Sequence, residues 1–258
     1  MHVLATAPDG KTETKQVLSG YLFSVDDQWL WITAGHIIDG DENSLCAAVR
    51  GGYTIRLNFG SFANDYGWQA FPPRLMCNLL PQGVDCCALP LAAPMRDSLK
   101  SEGKLAHTDF QWFAPISEDD HFYIVGVPLE AVKPRGQRRL ITLPIENEVS
   151  IRCVEVYECR CPDDNFTLPA VEDANKHGIP LFFARINQES QTRSIRGMSG
   201  GQIIRARHFE ALKGIGYGLF AMQSGWFKND RVIYGPFAAT FMPMIRNWVR
   251  EKMLRPLA

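Results

Sequence analysis

Short apolar runs, each closed by Gly, Pro, Asn or Asp, recur along nearly the whole chain, and this punctuation restricts the fold more than any other feature. VLSGYLFS (17–24) and QWLWIT (28–33) flank the polar turn VDDQ and read as a hairpin. YTIRLNF (53–59), HFYIVG (121–126), RRLITL (138–143), VSIRCVEVYEC (149–159), PLFFARI (180–186), GGQIIRA (200–206), GIGYGLFAM (214–222) and RVIYG (231–235) follow. Strands this short, with few helical stretches between them, predict an all-β protein built as barrels or a sandwich. One segment has the other period. In FMPMIRNWVREKML (241–254), Phe241, Ile245, Trp248 and Val249 recur at helical spacing, with Arg246, Asn247, Arg250 and Glu251 between them. That pattern predicts an amphipathic C-terminal helix docked on the body. The stretch 105–120 is weakly periodic, ends in acid, and reads as the connection between two halves.

The 258 residues suffice for two compact units, and a net charge of −1 asks for neither nucleic acid nor an anionic membrane as partner. The basic cluster KPRGQRR (133–139) has no aromatic platform within it and reads as a solvated turn. No apolar run is long enough to span a bilayer. MHVLATAPDGKTETKQ lacks a basic segment followed by an apolar stretch and does not read as a secretory signal. The seven cysteines are odd in number and include the adjacent Cys86 and Cys87, which suggests reduced thiols and a cytoplasmic location. Cys153, Cys159 and Cys161 match no common zinc spacing, so no metal and no cofactor is expected. Alternation along 149–159 instead puts Cys153 and Cys159 on one strand face with Val149, Ile151 and Tyr157, which argues that this face is core, against the presence of Glu155.

Three segments carry chemistry. In RGMSGGQII (196–204) a serine stands among three glycines at the entrance to a strand. A nucleophilic serine needs backbone N–H groups beside it to bind an oxyanion, and Gly197 and Ser199 are placed to supply two. Alone, this segment reads better as a glycine-rich hairpin turn that contains a serine. WLWITAGHIIDG (29–40) ends an apolar strand in a histidine, and His36 is the only one of six histidines so placed. A base at a strand end is held rigidly yet reaches solvent. GVDCCALPL (83–91) puts Asp85 at the mouth of a short apolar run, where a buried carboxylate requires a partner. Asp39 and Asp41 are too close to His36 in sequence to stand behind its ring, and Asp65 lies in a polar loop.

Taken together, these segments resemble the trypsin-like, chymotrypsin-fold serine peptidases. GYLFSVDDQWLWITAGHII resembles that family's strand pair ending in Thr-Ala-Ala-His; VDCCALPL resembles its Asp-x-Ala-Leu-x-Leu; GMSGGQII resembles its Gly-x-Ser-Gly-Gly-Pro. FYIVGVP (122–128) is similar to the strand that opens the second barrel in many bacterial members, and GIGYGLFA (214–221) to the strand that pairs with substrate backbone. The resemblance implies two six-stranded antiparallel β-barrels and a C-terminal helix. They would divide as 1–115 with His36 and Asp85, 116–240 with Ser199, and 241–258 as the helix. It implies a His36–Asp85–Ser199 triad acting through an acyl-enzyme, with Gly197 and Ser199 N–H as the oxyanion hole.

The departures from the family pattern are specific. Met198 replaces the Asp that, in secreted digestive members, pairs with a newly cut N-terminus, so that switch is absent. Gln202 replaces Pro. Gly218 takes the place of a Ser that often supports the triad acid. By the same resemblance Arg193 lies at the floor of the pocket for the residue before the cut, with Ile195, Gly218, Leu219 and Phe220 as walls. An Arg193 floor would favour acidic substrate side chains; an Arg193 turned to solvent or paired with Glu189 would leave a pocket for small or apolar ones. Both exclude cleavage after Lys or Arg. The expected partners are a protein or peptide substrate and a regulatory protein that restrains an intracellular peptidase. The reading of another class is a catalytically silent member serving as a binding or scaffold module.

Overall fold

The computed structural model describes residues 1–58, 68–108, 116–128, 132–134, 147–149, 151–160, 169–187, 195–209 and 214–254. The chain is mostly β. Its first half holds β1 (His2–Thr6), β2 (Glu13–Val17), β3 (Tyr21–Val25), β4 (Gln28–Thr33), β5 (Thr54–Asn58), β6 (Gln69–Ala70), β7 (Cys77–Asn78) and β8 (Cys87–Pro90). They form two four-stranded sheets, ordered β2-β1-β5-β6 and β3-β4-β8-β7. The second half holds β9 (Asp120–Gly126), β10 (Val132–Pro134), β11 (Asn147–Val149), β12 (Arg152–Glu158), β13 (Leu181–Ile186), β14 (Gln202–Phe209), β15 (Gly214–Met222), β16 (Gly225–Phe227) and β17 (Val232–Pro236). Seven of these make one curled sheet in the order β15-β14-β9-β12-β13-β17-β16, and β10 pairs with β11. All the pairings are antiparallel. The described pairings are thus sheets of four, four, seven and two strands.

Helices are more numerous than the sequence pattern suggests: α1 (Gly35–Asp39), α2 (Leu45–Arg50), α3 (Ala93–Ser101), α4 (Pro169–Lys176) and α5 (Ala238–Lys252). The first four are too short to show a clear 3.6-residue period. α5 is the expected C-terminal helix, beginning three residues earlier than its apolar repeat. Its Phe241, Met242, Ile245 and Val249 pack into one cluster with Phe23, Leu30 and Ile32 from the first half and Leu219 and Met222 from β15. The helix therefore seals both halves, and burying four such side chains is worth roughly 6–12 kcal/mol of transfer free energy before entropy is counted. Two further cores fill the halves, one around Trp31, Leu57 and Leu89 and the other around Phe122, Phe182 and Phe220.

On β12 the alternation is as expected but the faces are exchanged. Val154 and Val156 point into the core, while Cys153 and half-exposed Tyr157 face outward and Ile151 is 70% exposed. Glu155 decides the face: its carboxylate accepts hydrogen bonds from Tyr157 (2.8 Å) and Asn187 (3.1 Å) at the surface, and two valines provide the better inward pair. Cys46, Cys77, Cys86, Cys87 and Cys153 are free thiols; Cys161 lies outside the described residues.

The β3–β4 hairpin turns on Asp26 and Asp27, with φ of 47° and 63°, between the paired residues Val25 and Gln28. A two-residue turn with both centres left-handed matches the strand twist, and Asp tolerates that region better than most residues. Asp26 also accepts a hydrogen bond from Arg250 on α5 (3.1 Å). Asp27→Gly relieves the β-carbon at the second centre and leaves that tie in place. A stabilisation of about 0.5–1 kcal/mol is expected, read as a higher urea midpoint; a lower midpoint would contradict the turn geometry.

Candidate active site

Antiparallel pairing brings His36 and Asp85 together. Thr33 at the end of β4 is registered with Cys87 at the start of β8, so the chain leaves one strand where it enters the other. His36 lies in α1, just beyond that end, and Asp85 just before it. The carboxylate uses both oxygens on the histidine: Oδ1 accepts from the His36 backbone N–H at 2.8 Å, and Oδ2 lies 2.8 Å from His36 Nδ1. Asp85 is buried, whereas the His36 side chain is 46% exposed. Partial burial pulls the His36 pKa down, but the hydrogen bond and charge of Asp85, with the charge of Asp41, outweigh it, and the net shift is upward. An ionised carboxylate only accepts, so the proton sits on Nδ1 and leaves Nε2 free as a base.

The same logic places Ser199. It precedes β14, whose Gln202 is registered with Met222 at the end of β15. The Ser199 turn is tied there by Gly200 N–H donating to Gln223 O (2.7 Å) and Gln223 N–H donating to Gly201 O (2.9 Å). Buried Ser224, the next residue, donates from Oγ to the Asp85 carbonyl at 3.4 Å. Gly200 closes the ring of contacts. Its φ is +85°, and a β-carbon on it would lie 2.2 Å from Thr33 Oγ1 and 2.8 Å from Ala34 N. Only glycine lets the serine turn press onto the strand end that carries the histidine.

Gly197 has φ +92°, and neither its N–H nor that of Ser199 donates a hydrogen bond among the described residues. Two unspent donors flank a half-buried hydroxyl, the arrangement an oxyanion site requires. Ser199 Oγ itself makes no hydrogen bond among the described residues. Met198 is fully buried in the core of the second half, so apolar packing holds the turn. Gln202 makes a cross-half contact, with Oε1 2.8 Å from His107 Nε2.

The other residues singled out in the sequence are distributed as follows. Arg193 and Glu189 fall outside the described residues. Ile195 is buried just before the turn, and its carbonyl accepts from Met198 N–H at 2.9 Å. Gly218 sits within β15 opposite Arg205, so the hydroxyl near Asp85 comes from Ser224 and not from position 218. Leu219 packs in the α5 cluster, and the Phe220 ring lies 5.0 Å from Phe122, 5.2 Å from Phe182 and 5.3 Å from Phe237. Both are core side chains. An edge strand next to the site is β16, which follows Ser224 directly and among the described residues pairs with β17 alone. Its signal was available in the sequence as QSGWF (223–227), a Ser and a Gly breaking an apolar run. Among the described residues no group of three or more His, Cys, Asp or Glu side chains is gathered as a metal site. Nor is any described helix long and apolar enough to cross a membrane. Neither the protein-family models nor the curated protein sequences with which the chain was compared gives a match.

Proposed function

We propose that the protein is a serine endopeptidase that cleaves peptide bonds through Ser199, His36 and Asp85. The observation that carries this reading is the two-oxygen grip of Asp85 on His36, at 2.8 Å each, beside a turn whose Gly197 and Ser199 N–H groups are unspent. Ser199 attacks the scissile carbonyl while His36 Nε2 takes its proton. The carbonyl oxygen, now negative, is met by the two N–H groups. His36 then protonates the leaving amine, and water hydrolyses the acyl-enzyme by the same route in reverse order. Substrate backbone adds to the edge of β16. The two halves, 1–115 and 116–240, act as two barrel-like units with the site in the cleft between them, and α5 holds them together. Free cysteines support a reducing, cytoplasmic setting.

One observation favours the binding-module reading: the unengaged Ser199 Oγ. Nucleophile and base often tighten only when substrate binds, so this does not by itself disqualify the site. A fluorophosphonate probe separates the readings. The expected result is one modified residue, Ser199, found by peptide mapping, with a labelling rate that rises with pH through a midpoint above ~6.5 as the elevated His36 pKa requires. Folded protein that stays unlabelled, or takes the label elsewhere, would rule out the peptidase.

A further inference from the structure

We infer that Ser19, a first-half residue far from the triad in sequence, is a positioning residue for the oxyanion-binding turn; this rests on the reading of Ser199 as nucleophile. Ser19 is buried where the two halves meet. Its single hydroxyl proton goes to the carbonyl of Gly197, at 2.8 Å, and its oxygen accepts the backbone N–H of Val127 at 2.9 Å. Its own carbonyl accepts from Thr33 Oγ1 at 2.8 Å, which fixes it to the strand that leads to His36.

The carbonyl that Ser19 holds belongs to the peptide joining Gly197 to Met198. The N–H of that same peptide donates to Ile195 O at 2.9 Å. Both ends of this one rigid plane are therefore pinned. The two candidate oxyanion donors, Gly197 N–H and Ser199 N–H, lie on either side of it, so its orientation sets the angle at which they converge. Gly197 has φ +92° and no β-carbon to restrict it, and such a residue turns freely unless something external holds it. Buried Met198 anchors the side-chain end of the turn, and Ser19 anchors the backbone end. Gly126 accommodates both: a β-carbon there would lie 3.1 Å from Ser19 Oγ and 3.3 Å from Met198 Cβ and Cε. Thr33 Oγ1, Ser19 and Gly197 thus form a continuous polar path from the histidine strand to the oxyanion turn, which makes the turn's shape depend on the docking of the first half.

The test compares fluorophosphonate labelling rates of Ser199 in purified full-length variants. Ser19→Ala is expected to lower the pH-independent plateau by roughly 10- to 100-fold, while the pH midpoint set by His36 and Asp85 stays put. Hydrolysis of p-nitrophenyl acetate should fall by a similar factor in kcat, with KM within about twofold. Ser44→Ala, which removes the N-cap of α2 away from the site, is the stability control and should label like wild type. Ser19→Thr and Ser19→Val match in shape and differ in the hydroxyl, so they remain informative if Ser19→Ala fails to fold; Thr should label at least about tenfold faster than Val. Equal rates for Thr and Val, or for Ser19→Ala and wild type, overturn the inference while leaving the peptidase reading intact. So does a Ser44→Ala slowed as much as Ser19→Ala. Wild-type protein that is not labelled at Ser199 overturns both.

Discussion

Asp85→Asn should fold and yet lose roughly 10⁴-fold in kcat/KM, because it inverts the histidine's tautomer. The carboxylate accepts two N–H groups, one from the His36 backbone and one from Nδ1, each at 2.8 Å. An amide has one acceptor and one donor end. The backbone N–H cannot change its role, so the Asn oxygen turns to it and the NH₂ faces Nδ1. Nδ1 must then be the acceptor, its proton moves to Nε2, and the lone pair that would receive the Ser199 proton is gone. The backbone hydrogen bond survives, so the loss is in chemistry and not in folding. The midpoint of the pH–rate profile should also fall, since the hydrogen bond and charge that lift the His36 pKa are both removed. Fluorophosphonate labelling across pH, with thermal unfolding as the control, reads all three effects. A loss of less than about tenfold would mean that another acid orients the histidine.

The elevated His36 pKa also has a sign in stability. A histidine whose folded pKa lies above its unfolded value stabilises the fold fully at pH below the unfolded value of ~6.5. That contribution disappears as pH rises through the folded pKa. Under the proposed mechanism activity runs the other way, because only the neutral ring would accept a proton from Ser199. Catalysis would then fall in the range where this ion pair no longer adds to stability, and the half-exposed ring keeps the trade small.

The parts of the site legible in the sequence were those fixed by local pattern. His36 ends an apolar strand, Asp85 begins one, and Ser199 is framed by glycines whose positive φ the turn requires. Strand register then brings these ends together, which the runs of apolar residues imply without stating. Ser19, Thr33 and Ser224 were not legible as a set. Each is an ordinary hydroxyl in sequence and gains its role only from a partner in a distant segment, Gly197, Ser19 or Asp85. Gly218 lies on β15, an edge strand of the seven-stranded sheet paired with β14, and the hydroxyl that approaches Asp85 comes after that strand, from Ser224. On β12 the period was legible but the inward face was not, since Cys, Ile and Tyr on one face outnumber the two valines that the core in fact takes. The same alternation carries a buried arginine on β14: Ile203 and Arg205 face inward together, a signal visible in GQIIRARHF once the strand is recognised.

That arginine makes Asp120→Ala the most damaging change expected away from the active site, a loss of about 3–5 kcal/mol. The Arg205 side chain has no exposed surface, nor has that of Asp120, whose carboxylate it meets. Arg207 completes the cluster from the rim, with Nε 2.6 Å and Nη2 2.7 Å from the two oxygens of Asp120. Burial opposes the charge on Asp120, but the hydrogen bonds from Arg207 and Arg205, with that from the Ser117 N–H, hold its carboxyl well below the usual range. The Arg205 guanidinium also lies over the Phe220 ring at 5.5 Å, so the pair is built into the aromatic core of the second half. Deleting the carboxylate takes the anion away from a fully buried cation, whose desolvation is the source of the cost. Urea unfolding at pH 7 reads the loss. Asp120→Ala combined with Arg205→Met should recover part of it, because an apolar side chain of similar length removes the buried charge that has lost the Asp120 carboxylate. A depressed carboxyl contributes above its unfolded pKa of ~3.9 and loses that contribution only as pH falls through the lower folded value, so the penalty should be the same at pH 6 and pH 8. A single-variant loss below about 1 kcal/mol, or no recovery in the double variant, would show that Arg205 finds another anion or reaches water when Asp120 is gone.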